Sequence, residues 1–107
     1  MIQNYNYEKM FSLTDELLAI LMNGNLSGDD LALFAEKVNA SEEFFSGMAA
    51  DAFRKSAREA LDSFSLSDNK SLLRLITVAQ MPRNNAEAMQ ITDKITANKV
   101  RNMFVGI

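Results

Sequence analysis

Residues 41–64, SEEFFSGMAADAFRKSAREALDSF, decide the fold class. At 100° per residue, Asp51, Arg54, Lys55, Arg58, Glu59 and Asp62 share one arc of a helix, while Phe45, Ala49, Ala52, Phe53, Ala57, Ala60 and Phe64 share the other. Such a separation marks an α-helix with one face in a core and one in water. Ser41 reads as its N-cap, with Glu42 and Glu43 in the first turn and the end near Phe64. Gly47 then falls inside the helix, where it costs about 1 kcal/mol relative to Ala. Ala49, Ala52, Ser56 and Ala60 form a strip of small side chains, which allows close approach by another helix inside the chain or in a dimer. The i,i+4 pairs Asp51/Lys55, Lys55/Glu59 and Arg58/Asp62 are the ordinary ion pairs of a solvated helix face.

The flanking segments repeat the helical signal. Upstream, Ser27 with Asp30 forms a capping box, and Leu26 and Leu31 are placed as a hydrophobic staple. Leu31, Phe34, Ala35 and Val38 follow helical spacing towards an exit at Asn39. An earlier helix reads from near Ser12, with Asp15 as capping partner and Gly24 as the stop. Leu13, Leu17, Leu18, Ile20, Leu21 and Met22 make it apolar almost all round, which places it in the centre or in an interface. Leu17, Leu18 and Met22 are therefore candidate contacts of a homodimer. Downstream, a helix after Ser67-Asp68 turns Leu72, Leu73, Leu75, Ile76 and Ala79 inward and is expected to stop at Pro82, because the residue before a proline resists helical angles.

The last stretch changes phase. Ala88, Ile91 and Ile95 lie on one side of the wheel, and Val100, Met103 and Phe104 on nearly the opposite side. One straight helix cannot bury both sets against one surface, so a break is expected between Thr92 and Ala97. These readings sum to an all-α, compact bundle of five to six amphipathic helices in a single domain, 1–107.

Composition narrows the chemistry. The chain has no His, Cys or Trp. That removes the commonest general base, the commonest transition-metal ligands and the thiol nucleophile. The acidic pairs Asp15-Glu16, Asp29-Asp30 and Glu42-Glu43 each fall in the first turn of an expected helix, where the macrodipole accounts for them. The four glycines are isolated, and none forms a phosphate-binding loop. No catalytic residue, cofactor or metal ligand is expected. No apolar run approaches the roughly 18 residues of a membrane span, and the N-terminus lacks a basic-then-apolar leader, so a cytoplasmic protein is expected.

Charge is unevenly placed. Residues 1–64 carry eleven acidic and five basic side chains, and residues 65–107 carry three acidic and six basic. Residues 86–104 loosely resemble a helix-turn-helix, with Lys94, Asn98, Lys99, Arg101 and Asn102 as the groups suited to phosphates and base edges. Against DNA stand the missing turn glycine, an over-long turn and a thin basic face. The leading expectation is a small non-enzymatic interaction or regulatory protein that binds another protein as a homodimer. DNA binding through 86–104 is the alternative.

Overall fold

The computed structural model describes residues 5–105. The side chains of Val100, Asn102, Met103 and Phe104 lie outside what is described, as does Gly106. The described residues form four α-helices, α1 (Tyr7–Leu21), α2 (Gly28–Ala40), α3 (Met48–Asp62) and α4 (Asn69–Val105), with a 3-10 turn at Ser41–Glu43 between α2 and α3. The all-α class is as expected, with fewer helices than five to six. The bundle is not compact. Its extents are 63 × 26 × 19 Å and its radius of gyration is 16.9 Å, against about 13 Å for a compact chain of this length.

α1 starts before Ser12. Asn6 has extended backbone angles and its side chain accepts a hydrogen bond from the Lys9 N–H at 3.1 Å. That cap outcompetes the Ser12/Asp15 pair, which is exposed on the helix surface. The helix ends at Leu21, so Gly24 stands in the following loop rather than at the stop. Met10, Leu13, Thr14, Leu17 and Leu21 form the buried face, and Leu18 and Ile20 are half-buried.

α2 begins as expected. The Ser27 hydroxyl accepts from the Asp30 N–H at 3.2 Å, and the Asp30 carboxylate accepts from the Ser27 N–H at 2.9 Å. Phe34 and Val38 enter the core, and Lys37 pairs with Glu16 of α1 at 3.6 Å.

The segment 41–47 departs from the expectation of one helix from Ser41 to Phe64. Ser41 closes α2 instead of opening α3: it is fully buried and its hydroxyl donates to the Val38 carbonyl. The chain then forms an antiparallel bridge between Tyr5 and Phe45, with the Asn6 N–H donating to the Phe44 carbonyl at 3.0 Å. Gly47 is the N-cap of α3, at φ 105° and ψ −170°. Only glycine adopts that region without strain of about 1–3 kcal/mol. Arg54 secures the turn, its guanidinium donating to the Phe45 carbonyl at 2.9 Å and to Asp51 at 3.2 Å. Phe45 lies under it, with Tyr5 at 6.1 Å and Phe53 at 5.9 Å between ring centroids.

α3 buries Ala50, Phe53, Ala57 and Ala60. This face is rotated from the small-residue strip read in the sequence. Ala60 is buried, Ala49 and Ser56 are only half-buried, and Ala52 is exposed. Ala52 therefore packs against no other helix of the chain.

α4 is the largest correction. Pro82 lies inside it, and the helix continues without a break through Thr92–Ala97 to Val105. A proline removes one backbone donor and its ring strains the preceding turn, at about 3 kcal/mol in a helix interior. Here the proline is fully buried. The neighbouring Arg83 N–H donates to the hydroxyl of Thr14, across the α1–α4 contact, at 3.1 Å. Thr14 itself is fully buried, so this bond gives its hydroxyl a partner where water does not reach. Asn85 donates to the Met81 carbonyl at 2.9 Å in the same stretch. The helix passes through Pro82 with the ring buried and with these two side-chain hydrogen bonds in the adjoining turn. Asp68 caps its start, accepting from the Lys70 N–H at 2.9 Å.

α1 packs most extensively on α4, α3 packs on α4 beside it, and α2 closes the other side of α1 and α3. Leu75, Val78, Ala79, Pro82 and Ala86 face this core, whereas Leu73, expected to point inward, is 61% exposed.

Candidate functional site

The α1–α4 pairing is antiparallel: Thr14 meets Arg83, and Tyr7, at the start of α1, meets Asp93. There α1 ends, and the chain before it turns away to pair with Phe45. Residues 94–105 of α4 continue past this point by about 18 Å at 1.5 Å per residue. They form an arm beyond the body of the bundle. From Ile91 to Lys99 every residue is exposed, and so is Arg101. Ile91 is 59% and Ile95 50% exposed. Large aliphatic side chains one turn apart on an exposed helix are the kind of surface that marks an interaction site.

This explains the phase change in the sequence. Nine residues separate Pro82 from Ile91, which puts them half a turn apart at 3.6 residues per turn. Ile91 thus lies on the side of α4 away from α1. The break expected between Thr92 and Ala97 would be needed only if both apolar sets had to meet one surface. In this helix the ladder runs on through Thr92–Ala97.

At the root of the arm, Tyr5, Tyr7, Asn85, Met89, Thr92 and Asp93 border an open groove of about 400 Å³. The Tyr7 hydroxyl donates to the Asp93 carboxylate. That hydrogen bond, then desolvation and the Asp93 charge, raise the Tyr7 pKa above its ordinary 10.0. The contact ties the N-terminus of α1 to the arm, and nothing in the sequence signals it.

The residues singled out from the sequence scatter. Leu17 and Ala60 belong to the core. Met22, 71% exposed, lies at the opposite end of the bundle from the arm, beside Leu66 at 76%. Ser56 borders a groove of about 700 Å³ between α3 and α4, with Glu59, Ser63, Lys70, Leu73 and Arg74. Within it the Arg74 guanidinium donates to the Ser63 hydroxyl at 3.0 Å. No nucleophile and base are paired in this groove. Lys94, Asn98, Lys99 and Arg101 are exposed on the arm as expected, but they sit on one continuous helix without the turn of a helix-turn-helix. The side chain of Asn102 lies outside the described residues.

Among the described residues no group of three or more Asp or Glu side chains is arranged to hold a metal ion. No buried side-chain polar atom among them lacks a hydrogen-bond partner. No helix there is long and apolar enough to cross a membrane. No family model, curated protein or solved structure matches this chain.

Proposed function

We propose that the protein is a small non-enzymatic interaction or regulatory protein, that it acts by binding another protein as a homodimer, and that the arm of α4 is its binding element. The observation that carries this reading is the exposure of Ile91 and Ile95 on a helix that has left its own bundle. A surface packed against the arm would remove these two isoleucine side chains from water, which is favourable. Charge also favours a protein partner over duplex DNA. Between residues 87 and 101, Lys94, Lys99 and Arg101 are offset by Glu87 and Asp93. That leaves a net of +1, far from the dense basic face of a dedicated DNA binder.

Sedimentation equilibrium tests the reading. At tens of micromolar the protein should run at twice its 11.9 kDa mass. The variant Ile91→Asp/Ile95→Asp should be monomeric with unchanged helix content by circular dichroism. A wild-type monomer that instead binds duplex DNA in a salt-sensitive way, lost on Lys99→Ala/Arg101→Ala, would reverse the reading.

A further inference from the structure

We infer that the arm binds the arm of a second copy of this chain, side by side and antiparallel, with Ile91 of each packed against Ile95 of the other. The inference rests on the homodimer reading above and specifies its geometry.

The seam is set by spacing. Ala88, Ile91, Ile95 and Asn98 recur at intervals of three and four, so they line one stripe of α4, and all four are exposed. A 3-4 repeat is the pattern of a two-helix seam. α1 lies on the opposite side of α4, against Leu75, Ala79, Pro82 and Ala86. The groove beside α3 reaches no further along α4 than Met81. Ala88 borders the groove at the arm's root together with Tyr5 and Tyr7, and from Ile91 to Asn98 the stripe is exposed.

The flanking charges choose the direction. Glu87, Lys94 and Arg101 recur every seven residues along one edge of the seam, and Thr92 and Lys99 along the other. All five are exposed. Flanking residues of this kind decide partner and orientation in paired helices. In a parallel, in-register pair, Lys94 of each copy faces Lys99 of the other. That gives two like-charge contacts, and Glu87 faces only Thr92. In an antiparallel pair centred on Ile91 and Ile95, Glu87 of each copy comes within one turn of Arg101 of the other. That gives two opposite-charge contacts against a single Lys94–Lys94 repulsion. The antiparallel arrangement also brings the Ile91–Ile95 contact together twice at its centre. It sets the two bodies towards opposite ends of the paired helices.

The absence of cysteine from the chain makes the test clean. Ile91→Cys and Ile95→Cys are prepared separately, one with a mass tag, and oxidised alone and as a mixture. The antiparallel pair should give a disulfide-linked dimer only in the mixture, because like positions stand about 6 Å apart along the axis, beyond disulfide reach. Glu87→Arg and Arg101→Glu should each weaken the dimer by roughly tenfold in Kd, and the double variant should restore it. Disulfides forming within each single variant alone would show a parallel pair and overturn the inference. A sedimenting dimer with no crosslink in any sample, and no response to the charge changes, would place the interface elsewhere and overturn it while leaving the homodimer intact. A monomer in sedimentation would bring down both.

Discussion

One helix of this protein lives in two environments. Over residues 71–86, α4 presents Leu75, Val78, Ala79, Pro82 and Ala86 to the core, and its irregularities are answered by hydrogen bonds from neighbours. Over residues 94–99 and at Arg101 the same helix is exposed. The first stretch tolerates a proline because tertiary contacts supply what the local sequence withholds. The second has no proline, and its side chains from Lys94 to Lys99 are exposed. A single element is thus interrupted by proline where it is packed and uninterrupted where it is exposed, and body and arm should respond to substitution differently.

The largest contrast is expected from truncating an aromatic. Phe53→Ala should destabilise the body by about 3–5 kcal/mol, since Phe53 is fully buried against Phe45. Ile95→Ala in the arm should leave the unfolding free energy of the monomer within about 0.5 kcal/mol. Urea melts at concentrations that keep the chain monomeric check both. A loss of several kcal/mol at Ile95 would mean that the arm is folded into the body.

Thr14→Val should cost about 1 kcal/mol, because it removes the hydroxyl that accepts from the Arg83 N–H across the α1–α4 contact. Adding Pro82→Ala should recover part of that loss, since a regular helix at position 82 lets the Arg83 N–H return to the Ala79 carbonyl. Additive losses in this double-mutant cycle would show that the two sites are not coupled.

Gly47→Ala should cost about 1–3 kcal/mol through backbone strain alone. Ala57→Leu should overpack the α3 face by a similar 1–3 kcal/mol, while Ala52→Leu, on the exposed side, should stay within about 0.5 kcal/mol. The ordering of Ala57 and Ala52 is the sharpest check on the rotation of α3.

The smallest effect is local. The Tyr7 pKa is raised in the folded state, so its contribution to stability is intact below the unfolded pKa near 10 and fades as pH rises through the higher folded value. Amides of the arm's root should exchange faster with deuterium above that pH, and Tyr7→Phe should show the faster exchange at neutral pH while the core is unchanged. Equal protection in wild type and variant would mean that the Tyr7–Asp93 contact does not hold the arm.

The helical class and the α2 cap were legible because both are local. Ser27 and Asp30 are three residues apart, and no distant group competes for them. The failures all involve partners far along the chain. Pro82 reads as a stop until Thr14, sixty-nine positions from Arg83, supplies an acceptor to the residue that follows the proline. Gly47 reads as a weak helix residue until Tyr5 bridges Phe45 and forces a turn. The small strip on α3 was misphased because alanine marks both faces, and Ala52 and Ala57 look alike without a neighbour to choose between them. For the arm, the sequence registered the two opposed apolar sets of the tail. It resolved them as a bend because it assumed one body to cover both.

The Thr14–Arg83 bond also answers a counting problem. Apolar ridges on two antiparallel helices repeat every turn, so packing Leu13, Leu17 and Leu21 against α4 distinguishes poorly between neighbouring alignments. Just after Pro82 the Arg83 N–H is presented at one height on α4, and α1 offers one buried hydroxyl to take it. Sliding either helix by a turn breaks this bond and leaves the buried Thr14 hydroxyl without this partner. The pair acts as a vernier mark, so the buried proline that weakens α4 locally is also what fixes where α1 stops and how much of the arm is left over.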